Sequence, residues 1–144
     1  MNLAYVALKA FPHWNQRIIT ERDIQRVCKK KGVYIVEGKV GMPGLYIPYA
    51  GFAFIVIDPG LPPGMRLWVL LHELAHHLLH VPGMQLFDKR YKTKADFEAN
   101  FLAAVALIPL EIVMTKLPGE IQEEYGYPKE LTDLRKWIYD NYRI

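Results

Sequence analysis

Apolar and polar positions alternate along the chain in a way that divides it into a short series of elements. Ile24, Val27 and Cys28 recur at helical spacing between Thr20 and Gly32. Thr20-Glu-Arg-Asp23 has the form of a capping box, which predicts a helix to about Lys31 that ends at Gly32. VYIVE, LYIPY and FAFIVID, beginning at Val33, Leu45 and Phe52, read as three strands, with tight turns at the glycines and prolines between and after them. FAFIVID is expected to be a sheet edge that pairs with an extended peptide. Asp58-Pro-Gly60 ends it, and Pro63 suits the first turn of a helix running to about His80 and stopped by Val81-Pro82-Gly83. Thr93-Lys-Ala-Asp96 reads as a second capping box, opening a helix through ADFEANFLAAVAL that ends near Pro109. From Pro128, PKELTDLRKWIYDNY reads as an amphipathic helix closing the core. Helix-like and strand-like stretches together define an α+β domain.

The helix after Pro63 carries the unusual chemistry. Four of the five histidines fall between residues 72 and 80, in LLHELAHHLLH. At about 100° per residue, His72 and His76 lie roughly 40° apart and one turn from each other, so their imidazoles can converge on one ion. Glu73 stands about 60° from His76, beside the ligand face, where it can reach a water without binding the metal. This is the H-E-x-x-H arrangement of zinc peptidases. The flanking LWVLL and LL are apolar nearly all round the helix, so the helix is buried. Burial of a glutamate and two histidines is costly unless something satisfies them, and a metal does. His77 points some 100° from His76 and reads as a partly exposed or hydrogen-bonded residue. His80 either donates a hydrogen bond behind a ligand or complements the helix C-terminal dipole, and the dipole reading is preferred.

Two histidines leave a catalytic zinc short of a ligand. No third histidine follows at metzincin spacing, so the downstream carboxylates are the candidates. Asp96 is accounted for as a capping residue. Glu98 is not: it shares the apolar side of its helix with Phe101, Leu102 and Val105. If the second helix returns antiparallel to the first, Glu98 comes level with His76, with His72 one turn deeper. Glu98 is therefore the expected third ligand.

Composition narrows the setting. With 144 residues, 51% of them hydrophobic, the chain can bury one core and is expected to form a single domain over residues 1–144. The lone Cys28 excludes an internal disulfide and a cysteine zinc ribbon, and on its apolar stripe it reads as a small buried hydrophobe. A reducing cytoplasm fits this best. The opening MNLAYVALKAFPHW lacks the marks of a signal peptide, and no uncharged apolar run is long enough to span a bilayer. Net charge is only +3. Lys29-Lys-Lys31 and Lys89-Arg-Tyr-Lys-Thr-Lys94 read as solvated faces with no nucleic-acid motif beside them, so direct nucleic-acid binding is not expected. The second run is expected on a loop between the ligand helices, where it could steer an acidic substrate segment.

With HELAHHLLH followed by FEANFLAAVALIP, the sequence resembles the ImmA/IrrE family of bacterial and phage metallopeptidases. Their pattern is an H-E-L-x-H helix and then an E-A-N-x-F-A-x-x-L-L-M-P helix, and the likeness covers about residues 20 to 110. The resemblance implies a zincin-like (gluzincin) fold in which a small antiparallel or mixed sheet packs on the HExxH helix and a Glu-bearing helix. It implies His72, His76 and Glu98 as ligands of one zinc ion, with Glu73 as general base. Manganese and iron also suit such a donor set. Family members typically cleave a helix-turn-helix repressor, and several carry an extra helix-turn-helix or sensory module, which is not expected within these residues. The alternative is a non-catalytic, metal-containing anti-repressor that sequesters its partner, although a structural metal has no use for Glu73. Tyr91 and His80 are both candidates for stabilising the oxyanion.

Overall fold

A computed structural model describes residues 2–80 and 89–144, apart from the side chains of Lys89 and Tyr91. The expected stop at Val81-Pro82-Gly83 lies outside the described residues, as does any role of the Tyr91 side chain. Two short helices precede the sheet: α1 (Leu3–Ala10) and α2 (Glu21–Lys31). The α2 capping box forms in both directions, with Thr20 Oγ1 accepting from Asp23 N at 3.2 Å and Asp23 Oδ2 from Thr20 N at 2.9 Å. The helix ends at Gly32 in the left-handed region, φ 68°.

Three strands follow: β1 (Val33–Glu37), β2 (Gly44–Tyr49) and β3 (Phe52–Ile57). Their order is β1-β3-β2, with β1 parallel and β2 antiparallel to β3, so the sheet is mixed. A two-residue turn joins β2 to β3 through Ala50 and Gly51, both at positive φ (47° and 89°), as a tight hairpin between right-twisting strands demands. The expectation that FAFIVID forms an edge is corrected: β3 is central, hydrogen-bonded on both sides. Its composition fits that place, because Ala53, Ile55 and Ile57 are fully buried while Phe52 and Phe54 lie against Tyr34 of β1 on the other face. Among the described residues β1 and β2 are the edges.

Helix α3 (Pro63–Leu79) packs on the sheet and, most extensively, on α4 (Lys89–Leu107). Pro63 occupies the first turn of α3, where its missing N–H costs nothing. From Phe101 on α4 to Ile108 just beyond its end the chain is buried without interruption, and alanines 103, 104 and 106 let neighbouring helices approach closely. The short helices α5 (Leu110–Thr115) and α6 (Pro118–Tyr125) lead to α7 (Lys129–Tyr142), the helix that the tail pattern predicts, which lies against α4. Arg135 is fully buried on the inner stripe of α7. Its guanidinium donates to the carbonyl oxygens of Ile108 and Ile144 and to Asn15 Oδ1, tying three separated segments together. Cys28 is buried, as expected, and burial pushes its thiol up to about 11, which leaves it unreactive near neutral pH. No helix among the described residues is long and apolar enough to cross a membrane.

Candidate metal centre

Helix α3 places His72, Glu73 and His76 together, each bringing a potential ligand atom within 4.8 Å of the others. The two Nε2 atoms are 3.1 Å apart. Helix α4 supplies the partners: His72 meets Asn100, and His76 meets Asp96. As α3 advances by one turn α4 recedes by one, so the helices run antiparallel, as expected. The register, however, brings Asp96 rather than Glu98 level with the histidine pair. Asp96 Oδ1 lies 3.0 Å from His76 Nε2 and 3.5 Å from His72 Nε2. Glu98 points elsewhere, with its Oε1 3.3 Å from His80 Nε2.

The difference has a local cause. Because residues 89–92 are already helical, Thr93 and Asp96 lie inside α4 and do not form its N-terminal cap. One turn before Asp96, Lys92 Nζ donates to Asp96 Oδ2 at 2.8 Å and leaves Oδ1 for the histidines. The basic run 89–94 therefore lies within α4, not on a connecting loop. The i, i+4 relation of Asp96 and Asn100 puts both on the face turned to α3.

The donor set fits a divalent ion. Asn100 Oδ1 accepts from His72 Nδ1 at 2.7 Å, which fixes the proton on Nδ1 and leaves a lone pair on Nε2. That lone pair faces the Asp96 carboxylate, another acceptor, and a cation between them resolves the conflict. The triangle of 3.1, 3.0 and 3.5 Å among the two Nε2 atoms and Asp96 Oδ1 matches the roughly 3.3 Å edge of a tetrahedron with ligand bonds of about 2.0 Å. Protonation states agree. Burial, and then the neighbouring His72, pulls His76 down to about 4, and burial lowers His72 as well, so both rings are neutral. Burial would raise Asp96, yet the hydrogen bond from Lys92 and the charge of that ammonium hold it below the usual carboxylate value. Glu73, buried beside this group, is pushed up to about 7 by desolvation and then by the Asp96 charge, and a cation at the site opposes both effects.

A cleft of about 260 Å³ opens on this cluster, lined in part by Gly44, Trp68, His72, Glu73 and Asn100. Gly44 begins β2, and a Cβ there would stand 2.4 Å from Val69 Cγ1 and 3.5 Å from Glu73 Cγ, so only glycine lets the edge strand lie this close to the site. The other two helix histidines face apart. His77 Nδ1 lies 2.7 Å from the Tyr46 hydroxyl, the hydrogen-bonded role expected of it. His80 turns back over His76.

A buried H-E-x-x-H helix, a second helix bearing a carboxylate, and an edge strand along a cleft define a small zincin-like metallopeptidase domain. The sequence agrees: residues 28–135 match the family described as the IrrE N-terminal-like domain, peptidase family M78, and the chain belongs to that family. No curated protein matches it significantly.

Proposed function

We propose that the protein is a zinc-dependent endopeptidase in which His72, His76 and Asp96 hold the metal and Glu73 is the general base. The observation that carries this reading is the convergence of two neutral Nε2 atoms and a carboxylate oxygen at 3.0–3.5 Å with Glu73 beside them. Held by those three residues, a divalent ion would supply Lewis acidity, polarising a peptide carbonyl and lowering the pKa of the attacking water toward about 7. Glu73 takes the proton of that water and passes it to the leaving nitrogen. Lys92 keeps Asp96 ionised, and Asn100 holds the His72 tautomer. The edge of β2, unpaired among the described residues and beside Gly44, binds the substrate as an added antiparallel strand, giving sequence-tolerant affinity from backbone hydrogen bonds.

The substrate is a helix-turn-helix repressor, cut at an exposed site outside its DNA-binding helices. Family resemblance supports this, and so does the slightness of the cleft. A small cleft with backbone-based affinity needs a second contact that tethers one partner at high effective concentration. Co-expression with a repressor encoded beside the gene, read by mass spectrometry next to a Glu73→Gln control, tests it. One cut in the repressor, absent from the control, with casein left intact, is expected. Rapid digestion of casein contradicts tethering. Tight binding of the repressor by the metal-loaded protein without any cut supports sequestration instead.

A further inference from the structure

We propose that Glu98 and His80 form a hydrogen-bonded relay that positions His76, acting on it from the side opposite the ion. The relay presupposes the metal site proposed above and adds two residues that do not touch the ion.

His72 and His76 stand at i, i+4 on α3, and His80 follows four residues after His76 at the helix end. His80 caps the helix in extended conformation (φ −126°, ψ 158°), with its backbone N–H bonded to His76 O at 3.1 Å. From there its ring lies back over His76, with Nδ1 3.3 Å from His76 Nδ1 and Nε2 3.3 Å from Glu98 Oε1. The His80 and His76 side chains are each only 6% exposed. One proton assignment satisfies the whole chain. His76 offers Nε2 to the metal and so carries its proton on Nδ1. His80 Nδ1 faces that proton and must accept it. With Nδ1 accepting, the His80 ring has its proton on Nε2, which it donates to the Glu98 carboxylate. Every link has one donor and one acceptor.

The consequence is a fixed tautomer and ring plane for His76, and a stronger donor atom, because negative charge on Glu98 is transmitted through the hydrogen bonds. His72 has a different support, the neutral amide of Asn100. The preference for His80 as a helix-dipole partner is thereby replaced, since both of its ring nitrogens lie against side chains. Glu98 keeps its place near the metal centre as a positioning residue.

Zinc affinity of the full chain, measured by competition with a chromophoric chelator, tests the relay alongside the visible spectrum of the cobalt-loaded protein. His80→Ala should weaken zinc about 10- to 100-fold, shift the cobalt bands and still reach about one ion per chain at saturation. Glu98→Ala should weaken zinc less, and the double variant should be no worse than His80→Ala, because both act through one chain. His80→Gln, whose amide oxygen can accept from His76 Nδ1, should recover part of the loss. Glu98→Ala decides the question by itself should His80→Ala fail to fold, and far-UV circular dichroism of the metal-free variants identifies that case. Unchanged zinc affinity, or fully additive losses, overturns the relay. So does loss of all metal in Glu98→Ala with retention in Asp96→Asn, which makes Glu98 a ligand. Full metal in both His76→Ala and Asp96→Asn overturns the metal site itself, a separate failure.

Discussion

At the scale of single residues, the duties proposed for Glu73 and Asp96 are separable, and substitutions tell them apart. Glu73→Gln preserves shape and a hydrogen bond to water but cannot take a proton. It is expected to keep its metal and fold while hydrolysis falls on the order of 10²- to 10⁴-fold, measured as initial rate beside metal content. Gly44→Ala is expected to force β2 away from Val69, costing about 1–3 kcal/mol in a denaturant titration and lowering activity by disturbing the wall next to Glu73. The H-E-x-x-H face was readable from the chain because both residue type and spacing are local. Asp96 was not, and the reason lies in two similar strings. Thr20-x-x-Asp23 and Thr93-x-x-Asp96 carry the same capping signature, yet only the first sits at a helix start. Local pattern cannot say that the chain is already helical at residues 89–92, and that offset turns Asp96 from the expected cap into the carboxylate at the histidines.

At the scale of elements, the true capping box makes a test of its own. Burial raises the Asp23 carboxyl, but the Thr20 hydrogen bonds and Arg17 outweigh it and hold it below its ordinary value of 3.8. The stability it contributes is therefore present above that value and lost as pH falls below it. Asp23→Asn should cost about 1 kcal/mol at neutral pH, and the difference from wild type should shrink in titrations below the carboxylate range. Gly64 marks a close crossing, where a Cβ would stand 2.4 Å from Gly126 O at the end of α6. Backbone cannot give way there, so Gly64→Ala should lower stability by roughly 1–3 kcal/mol, seen as a lowered melting temperature. The three strands, α2, α3 and α7 are all close to their sequence patterns. Strand order is not, because FAFIVID pairs on both sides through contacts its own residues do not specify. Its nearly continuous apolar character is nonetheless the mark of a central strand. The helices α1, α5 and α6, each of eight residues or fewer, are too short to show a periodic face.

At the scale of the molecule, the site joins α3 to α4, the two helices that pack on each other most extensively. Metal binding and folding should therefore be coupled. An ion at about 1,000 times its dissociation constant adds about 4 kcal/mol, so chelation should lower the melting temperature on the order of 10 °C, as calorimetry with and without chelator would show. The measurement that bears most directly on the account is metal content after purification. Wild-type protein is predicted to carry about one zinc per chain, with strong loss in both His76→Ala and Asp96→Asn. Full stoichiometry in His76→Ala would contradict the metal centre, and full stoichiometry in Asp96→Asn would contradict its third ligand.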